Sequence, residues 1–448
     1  MREYDVVIIG GGVSGCALYF VLARYTNLKS VALLEKYDRI APLNSSSKAN
    51  SQTLHSGDIE TNYTLDKAER IKRIANMIVR YGELMPDARA CMRALPKMVL
   101  AVGEQEVDYL RARHREFSAL FPHMDLWEKE RIAEIEPAVA LHGDRPRSET
   151  VVASGALDEI CAVDYGGLSE SFAHNAQDGA VATDLLLDTR VNTIRERDGG
   201  FELETSAGPM AAGCVVVAAG PHSLLFAHQM GYGLNYSMLP VAGSFYFISR
   251  PIRSKIYTVQ NPKLPFAALH ADPDLAAPGR TRLGPTALIL PKMERYRSGT
   301  YADFLRVFSP DRQVMKVMGD LLKDRDIRNY IVRNLLFEVP LIRKRLFLKD
   351  VRKIIPSLQL KELTFAGGFG GLRPQVIDRV HARLQLGEAS INPGNGIIFN
   401  MTPSPGASTC LGNAYRDARA MVARLGFTLD RDRLVRELLD GEDLVQAA

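Results

Sequence analysis

The chain has 448 residues, and because a domain usually spans about 100–200 residues, two or three domains are expected. Hydrophobic residues make up 46% and charged residues 24% of the chain, which excludes intrinsic disorder, collagen and coiled-coil arrays as the overall class. Lys and Arg outnumber Asp and Glu by 56 to 52, an excess too small to indicate a nucleic-acid-binding protein.

The five cysteines lie far apart and form no Cys-x-x-Cys motif: Cys16, Cys91, Cys161, Cys214 and Cys410. This pattern favours reduced core thiols over a zinc site, a dithiol centre or a disulfide framework, so we expect no metal. No stretch approaches the roughly 18 consecutive apolar residues needed to span a bilayer, and two charged residues lead directly into the first predicted strand. We therefore expect a cytoplasmic chain without a membrane-spanning segment.

The first forty residues are typical of a βαβ unit. A continuous apolar run at residues 4–9 predicts a buried parallel strand, and an apolar helical pattern follows at residues 16–24. A second strand is predicted at residues 31–34. The glycine-rich turn at residues 10–15 connects the first strand to the helix.

That turn contains the spacing Gly10-x-Gly12-x-x-Gly15, and Glu35 stands at the end of the second strand. Gly10 permits the tight turn, Gly12 lets the backbone approach a pyrophosphate, and Gly15 allows close helix–strand packing. The positive end of the helix then faces the phosphates, while Glu35 can accept hydrogen bonds from a ribose. We expect a dinucleotide site here, with neighbouring residues at the same turns contributing: Val13, Ser14 and Lys36.

Beyond the βαβ unit, the pattern changes several times along the chain. The predicted elements are a polar loop (44–53), helices (67–81 and 104–120), a β-meander (181–188, 191–197 and 201–205), a buried strand ending in glycine (214–220), strand-like segments rich in proline (235–295), a basic helical region (310–356) and a C-terminal helix (408–424). Dinucleotide-fold segments thus alternate with other material. This alternation predicts an α/β fold of two interleaved domains.

FAD is favoured over NAD as the dinucleotide. The chain has a single fingerprint, and the strand at residues 215–220, with Ala219 and Gly220 at its end, resembles the second nucleotide-contacting strand of flavoproteins. An NAD dehydrogenase would continue with further parallel βα units, whereas this chain continues into a loop and charged helices. A disulfide-reductase layout would need a second fingerprint and a redox-active cysteine pair.

The chain resembles the flavin-dependent malate:quinone oxidoreductases, within the larger group that includes D-amino-acid oxidase and L-2-hydroxyglutarate dehydrogenase. The resemblance runs over nearly the whole chain and is carried by six motifs: SSSKANSQTLHSGDIETNYT (45–64), LPVAGSFYF (239–247), NPKLPFAALHADPD (261–274), RLGPTA (282–287), GGLRPQ (370–375) and FNMTPSPGAST (399–409). The last of these resembles the C-terminal flavin-contact loop of the family.

This resemblance implies a glutathione-reductase-like FAD-binding domain of the D-amino-acid oxidase type. It would be interleaved with an α+β substrate domain built on an antiparallel sheet. We expect the FAD-binding domain to comprise residues 1–84, 150–232 and 360–448, and the substrate domain residues 85–149 and 233–359.

The implied reaction is FAD-dependent oxidation of (S)-malate to oxaloacetate, with hydride transfer from C2 to flavin N5 and electrons passed to membrane quinone. An L-2-hydroxyglutarate or L-lactate dehydrogenase or oxidase is the alternative within the same superfamily. A flavin-binding module without turnover is a remote alternative, and the presence of both His270 and Arg373 argues against it.

Four residues are candidates for the chemistry. His270 resembles the family histidine of its motif and is the candidate base, because a histidine titrates near neutral pH. Arg373 can hold the substrate carboxylate in bidentate geometry and would also lie near the flavin. Arg282 could meet the second carboxylate of malate, and His55 matches a histidine close to the isoalloxazine ring. The structural alternatives are that His270 is a core histidine, that Arg373 is an ion-paired arginine and that His55 only packs against its neighbours.

Further residues are assigned to FAD through the resemblance. Val191 would contact the adenine through its backbone. Short polar side chains of the 44–53 loop would reach phosphate or ribose oxygens, or else form turns: Ser46, Ser47 and Asn50. The rigid C-terminal loop would direct its N–H groups to the flavin: Ser404, Pro405, Gly406, Ala407 and Ser408.

A basic, apolar-rich stretch between residues 328 and 353 is a candidate membrane face. Its basic members are Arg328, Arg333, Arg343, Lys344, Arg345, Lys349, Arg352 and Lys353. Its apolar members are Leu335, Leu336, Phe337, Leu341, Ile342, Leu346, Phe347 and Leu348. The alternative is an ordinary helical pair with a solvated basic face. With quinone as the acceptor, the expected location is peripheral, on the inner face of the cytoplasmic membrane.

Overall fold

The computed structural model describes residues 1–260, 268–385, 389–401, 405–441 and 444. Its strands, in chain order, are β1 (Arg2–Ile9), β2 (Ser30–Leu34), β3 (Met92–Val102), β4 (Asp125–Glu128), β5 (Leu141–His142), β6 (Arg145–Pro146), β7 (Val151–Val163), β8 (Ala182–Leu186), β9 (Val191–Arg197), β10 (Gly200–Thr205), β11 (Gly208–Val217), β12 (Tyr236–Ala242), β13 (Tyr246–Ile248), β14 (Lys255–Thr258), β15 (His270–Pro273), β16 (Thr281–Gly284), β17 (Leu288–Ile289), β18 (Thr364–Phe365), β19 (Leu372–Asp378), β20 (Arg383–Gln385), β21 (Ala389–Ile391) and β22 (Ile397–Met401).

The helices of the described residues are α1 (Val13–Tyr25), α2 (Leu65–Leu84), α3 (Pro86–Ala90), α4 (Glu104–Phe117), α5 (Lys129–Ile135), α6 (Pro137–Ala140), α7 (Tyr165–Ala176), α8 (His222–Gln229), α9 (Tyr301–Val307), α10 (Arg312–Lys323), α11 (Arg325–Leu336), α12 (Arg343–Val351), α13 (Cys410–Leu425) and α14 (Arg431–Leu438). Each helix expected from the sequence is present, with ends shifted by a few residues. The basic region at 310–356 contains three of them, α10 to α12.

The first sheet has the order β21-β22-β11-β1-β2-β8, and the strands from β22 to β8 are parallel. The β1–α1–β2 unit therefore forms as predicted. The expectation that residues 181–188 belong to the β-meander is wrong, because β8 pairs in parallel with β2. The meander consists of β9, β10 and β11, which pair antiparallel.

The second sheet has the order β18-β13-β16-β15-β14-β3-β7-β4, and the third has the order β17-β12-β19-β20. Two expected domain boundaries divide these sheets. β7 falls in the segment 150–232, yet it pairs with β3 and β4. β19 falls in 360–448, yet it pairs with β12. Because paired strands share one hydrogen-bonded layer, we propose that the substrate domain extends through β7 and through β20.

The largest core cluster lies between the first sheet and the helices packed on it. α1 packs against α7 and α13, and almost all of its side chains are buried, among them Tyr19 and Phe20. A second core lies between the second sheet and α12. The segment that follows β2 contacts both the N-terminus of α1, through Ser45, and Arg282 of β16, so the site forms where the first and second sheets are connected.

The entry of α1 depends on a close approach between backbone segments. A Cβ atom at Gly15 would lie 2.0 Å from the Gly10 carbonyl oxygen, so the first turn of α1 can sit on the β1 turn only without a side chain. This contact matches the third glycine of the predicted fingerprint.

Gly15→Ala is therefore expected to lower the free energy of unfolding by about 1–3 kcal/mol or more, since backbone atoms cannot move aside cheaply. Gly319→Ala is the matched control, because nothing lies within 4 Å of a Cβ at that position inside α10. It should raise the free energy of unfolding by roughly 0.5–1 kcal/mol. Thermal unfolding of both variants checks this, and equal melting temperatures would contradict it.

Candidate active site

The turn after β1 is shaped to receive a phosphate. Gly10 has φ +113°, and a Cβ there would lie 2.6 Å from the Ala218 carbonyl oxygen. Gly12 is the N-cap of α1, carries no side chain to cap the helix, and is followed by a first turn without acidic residues. The first-turn N–H groups and the positive end of the helix dipole are thus directed at the turn, as an anion requires.

Glu35 follows β2 and is held by the glycine turn. Its Oε2 accepts a hydrogen bond from the Gly11 N–H at 2.8 Å, and its Oε1 accepts one from the Tyr37 N–H at 3.1 Å. Burial raises the pKa of Glu35, although these two N–H donors oppose the rise. Lys36 pairs with Glu294 of the segment after β17. Glu35 therefore stands at the predicted ribose position, whereas Lys36 is occupied by an ion pair.

The 44–53 loop covers the N-terminus of α1. The Val13 N–H donates to Ser45 Oγ at 2.9 Å, which makes Ser45 a contact that the sequence analysis did not single out. Ser46 and Asn50 make hydrogen bonds within the loop. Asn50 Nδ2 donates to the Ser46 carbonyl at 2.9 Å, and Ser46 Oγ accepts a hydrogen bond from the Lys48 N–H. Ser47 contributes its carbonyl oxygen to other residues. These contacts show the predicted residues shaping the loop.

The other predicted cofactor-contact residues lie at strand ends or near helix starts. Ala219 and Gly220 follow β11, and Gly220 has φ +58°. Val191 opens β9 in a buried position. Ser14 lies in the first turn of α1. Pro405, Gly406 and Ala407 precede α13, as does Ser408, while Ser404 lies outside the described residues, as do residues 261–267 before His270.

Ser408 connects the C-terminal loop to His55. Its Oγ accepts a hydrogen bond from the His55 N–H at 2.9 Å and contacts the Tyr165 hydroxyl at 2.9 Å. The His55 ring is held from the other side by Glu60 through Nδ1. The loop before α13 and the segment after the 44–53 loop thus meet, as they must if both contact one flavin.

His270 begins β15 and is fully buried. Its Nδ1 pairs with Asp272, two residues along the same strand and therefore on the same face. The other carboxylate oxygen of Asp272 pairs with Lys255 of β14 at 2.8 Å. Burial raises the pKa of Asp272, but the His270 and Lys255 charges outweigh it and hold the pKa at about 2. Burial lowers the pKa of His270 below its usual value, against the opposing pull of Asp272.

Tyr257 lies between His270 and the remaining candidates. Its ring stacks on His270 with centroids 4.7 Å apart and meets the His55 ring edge-on at 6.2 Å. Its hydroxyl is 2.6 Å from Thr53 Oγ1. Burial raises the pKa of Tyr257 well above its usual value, so the phenol stays neutral. His55, Tyr257 and His270 form one row of rings.

Arg373 lies on β19 of the third sheet, close to Tyr257. Tyr257 and Tyr330 of α11 are its electrostatic neighbours, and burial lowers the pKa of its guanidinium. Burial also raises the pKa of Tyr330 to about 12. Within the described ranges, no carboxylate pairs with Arg373, whereas the other buried cations nearby have aspartates: Lys97 with Asp58, Lys255 with Asp272, and Arg282 with Asp274.

Arg282 is fully buried and its donors are already engaged. It donates to Asp274 Oδ2 through Nε at 2.9 Å and Nη2 at 2.7 Å. Nη1 donates to the carbonyls of Ser47, at 2.9 Å, and Asn50. This geometry favours a role in holding the 44–53 loop over contact with a second substrate carboxylate.

Besides Ser45, four residues of this site were not expected from the sequence: Lys255, Tyr257, Asp272 and Tyr330. A signal existed for Asp272, because His270-x-Asp272 on a predicted strand places both side chains on one face. No comparable signal existed for Lys255 and Tyr257, since their position depends on the pairing of β14 with β15. In the described part of the chain, no group of His, Cys, Asp or Glu side chains could hold a metal ion.

Comparisons with known proteins agree with this geometry. Residues 5–414 match the family model described as FAD dependent oxidoreductase. The fold is similar to an L-alpha-glycerophosphate oxidase from Mycoplasma pneumoniae solved with FAD bound, with a TM-score of 0.66, 20% identity and 96% of each chain covered. A glycine oxidase from Geobacillus kaustophilus gives a TM-score of 0.64 at 18% identity, over 94% of this chain and 95% of that one. The chain therefore belongs to the FAD-dependent oxidoreductases, and its cofactor is FAD.

Curated relatives narrow the family further. A protein named "Probable malate:quinone oxidoreductase" from Campylobacter jejuni subsp. jejuni is 48% identical over 98% of this chain and 99% of its own. The "Malate:quinone oxidoreductase" of Helicobacter pylori (strain ATCC 700392 / 26695) is 42% identical over 97% of this chain and 98% of its own. By this near full-length similarity, the chain is a member of the malate:quinone oxidoreductase family.

Arg282→Lys keeps the charge but replaces a planar fork by a single ammonium that cannot make the same four hydrogen bonds. We expect the free energy of unfolding to fall by about 2–3 kcal/mol and FAD to bind more weakly, because charge-assisted hydrogen bonds to the loop are lost. The KM for the 2-hydroxy acid, measured on FAD-loaded protein, should stay unchanged. A sharp rise in KM at unaltered FAD affinity would instead place Arg282 on the substrate.

Proposed function

We propose that this chain oxidises (S)-malate to oxaloacetate and passes the electrons to quinone. The observation that carries the proposal is Arg373, a guanidinium without a carboxylate partner in the described residues, close to Tyr257, whose ring stacks on His270 of the buried His270–Asp272 pair. Arg373 is half-buried, and a charge partly removed from water is costly unless it is paired, so the site favours binding of an anion. The names of the relatives indicate malate as that anion.

Arg373 binds one carboxylate of malate with its two-pronged donor geometry and fixes the orientation of the adjacent C2 hydroxyl. Because Nδ1 of His270 is engaged by Asp272, Nε2 is the nitrogen that takes the hydroxyl proton. FAD, when bound, supplies the acceptor for the hydride that leaves C2. Transfer of the proton to His270 and of the hydride to FAD converts the alcohol to the ketone.

The residues around the FAD site fit that cofactor. The side-chain-free turn at Gly10 and Gly12, the α1 N-terminus without acidic residues in its first turn and the carboxylate of Glu35 suit a pyrophosphate and its ribose. His55 and the 405–408 segment approach the site from the opposite side. The burial of His270 and Tyr257 excludes water from the point of proton transfer.

(S)-Malate, added anaerobically to FAD-loaded protein, is expected to bleach the flavin absorbance, and a quinone analogue but not NAD should restore it. Arg373→Lys should retain FAD and raise the KM for malate about tenfold or more, because the bidentate contact to the carboxylate is lost. Stopped-flow absorbance measures the bleaching of the flavin and its dependence on malate concentration, which gives the KM.

The matched control is Arg379→Lys, which alters an arginine of the segment after β19 that pairs with Asp311 away from the site. It should leave the KM for malate unchanged. If malate does not bleach the flavin but L-2-hydroxyglutarate or L-lactate does, that compound replaces malate as the proposed substrate. Unchanged kinetics in Arg373→Lys would remove Arg373 from the site.

We also propose that the protein associates peripherally with the inner face of the cytoplasmic membrane. Within the described residues, no helix has the length and apolar character needed to cross a bilayer. Of the 18 large apolar side chains that are exposed there, 11 lie between residues 296 and 342. Leu341 is 90% exposed and Leu335 50% exposed. Such a concentration of exposed apolar surface supports contact with lipid.

About half of the predicted membrane-face residues have structural roles. Arg333 pairs with Asp350, and Lys353 with Glu106. Phe337, Phe347 and Leu348 are buried against the second sheet. The exposed members remain as the proposed lipid-facing surface, which comprises Arg328, Leu335, Leu336, Leu341, Ile342, Arg345, Lys349 and Arg352. Apolar side chains beside exposed cations are what an anionic lipid surface attracts.

Co-flotation with vesicles tests this surface. The wild-type protein should float with vesicles containing phosphatidylglycerol and bind less to pure phosphatidylcholine, with binding that weakens as salt rises. Leu341→Glu should reduce binding about tenfold, because it removes apolar contact and adds repulsion.

Leu234→Glu is the matched control, since Leu234 is 54% exposed in the segment between α8 and β12, outside the proposed surface. It should float like the wild type. Equal loss of binding in both variants would refute the assignment of this surface, and malate oxidation with a soluble quinone analogue should remain normal in either.

A further inference from the structure

The carboxylate of Asp272 is divided between two partners. Oδ2 pairs with His270 Nδ1, and Oδ1 pairs with Lys255 Nζ at 2.8 Å. Lys255 also donates to the Ser51 carbonyl at 3.1 Å. All three charged side chains are at most 1% exposed. Because each oxygen lies within ion-pair distance of a different side chain, rotation of the carboxylate would break one ion pair, and Lys255 thereby constrains its direction toward His270.

The strand pairing explains why these groups meet. β14 and β15 pair antiparallel with Tyr257 opposite His270, and the same register places Lys255 opposite Asp272. Because alternate residues of a strand share a face, the four side chains stand on one face of the ladder. The arrangement is therefore built into the sheet and does not depend on a loop.

We propose that Lys255 is a positioning residue for His270. Through Asp272 it holds the imidazole in the tautomer that carries its proton on Nδ1, which leaves Nε2 to accept the hydroxyl proton. The inference rests on the proposed function for its catalytic meaning, whereas the tautomer itself can be observed without any substrate.

The charges around His270 support this role. Lys255 and Asp272 cancel, so a neutral His270 leaves the trio without net charge. Tyr257, which stacks on the His270 ring, is a neutral phenol, and the His55 ring of the same row pairs with Glu60. On the neighbouring strand β16, Arg282 is neutralised by Asp274. Lys255 is thus the cation whose removal changes the field on His270 most directly.

The direction of the expected change follows from the signs. Burial lowers the pKa of His270, Asp272 raises it and Lys255 lowers it. Removing the Lys255 charge therefore raises the pKa of His270, and removing the Asp272 charge lowers it. Since a base must be unprotonated, activity is lost as pH falls through this pKa. Loss should begin at higher pH without Lys255 and at lower pH without Asp272.

The experiment is a pH titration of ¹⁵N-histidine-labelled, FAD-loaded protein by NMR, with the His270 signals assigned by their absence in His270→Asn. The wild type should show the Nδ1-protonated tautomer. Lys255→Met should move the titration midpoint up by about one pH unit, and Asp272→Asn should move it down and abolish the tautomer preference. The pH profile of flavin reduction by malate should shift in the same two directions.

Lys97→Met is the matched control. Lys97 is also buried and paired with an aspartate, Asp58, and stands opposite Lys255 in the pairing of β14 with β3. Its loss should destabilise the fold to a similar degree but leave the His270 midpoint and tautomer unchanged. Lys255→Gln, which keeps a donor to Asp272, is measured in the same way if Lys255→Met does not fold, and a smaller upward shift is expected.

Equal His270 midpoints in wild type, Lys255→Met and Lys97→Met would overturn the inference, as would an Nε2-protonated tautomer in the wild type. A wild-type flavin that ignores malate would instead overturn the proposed function. In that case the NMR titration still decides the role of Lys255, so the two failures are distinguishable.

Discussion

Arg282 links the loop over the cofactor site to the second sheet, and the remainder of the site depends on this link. The guanidinium binds Asp274, directly after β15, and the carbonyls of Ser47 and Asn50 in the loop. Gln52 adds a second connection, since its Oε1 accepts a hydrogen bond from the Leu275 N–H at 2.9 Å. If the loop carbonyls moved away, the buried Arg282 would be left with unsatisfied N–H donors, so the loop has one favourable position.

The same kind of contact recurs at Lys255, which donates to the Ser51 carbonyl while pairing with Asp272. Two buried cations therefore hold consecutive parts of one loop, each neutralised by an aspartate of the strand region around β15. His55, which follows this loop, is thereby placed beside Tyr257. Ser45 of the 44–53 loop contacts the N-terminus of α1. Displacement of the second sheet would therefore also displace the part of the site that faces the phosphates.

The local parts of this structure were predictable, and the non-local parts were not. The β1–α1–β2 unit follows from adjacent residues whose spacing has a direct mechanical meaning, and it forms as expected. β3 and β7 were not anticipated, because their pairing contains register irregularities near Leu95 that obscure any alternation in the sequence. His270 and Arg373 could be named from motifs, whereas Lys255 and Tyr330 required knowledge of which elements meet.

Charge pairing explains why the candidate site takes an anion and why that anion binds where it does. Lys97, Lys255 and Arg282 are buried cations with buried aspartates, and each pair is locally neutral. Arg373, flanked by the two phenols of Tyr257 and Tyr330, has no such partner among the described residues. An additional aspartate here would stabilise the resting protein and occupy the donor fork that a substrate carboxylate needs. The absence of that carboxylate leaves the guanidinium open to an anion, and we propose that a substrate carboxylate held there lies near His270, whose Nδ1, like that of His55, is already paired with a carboxylate.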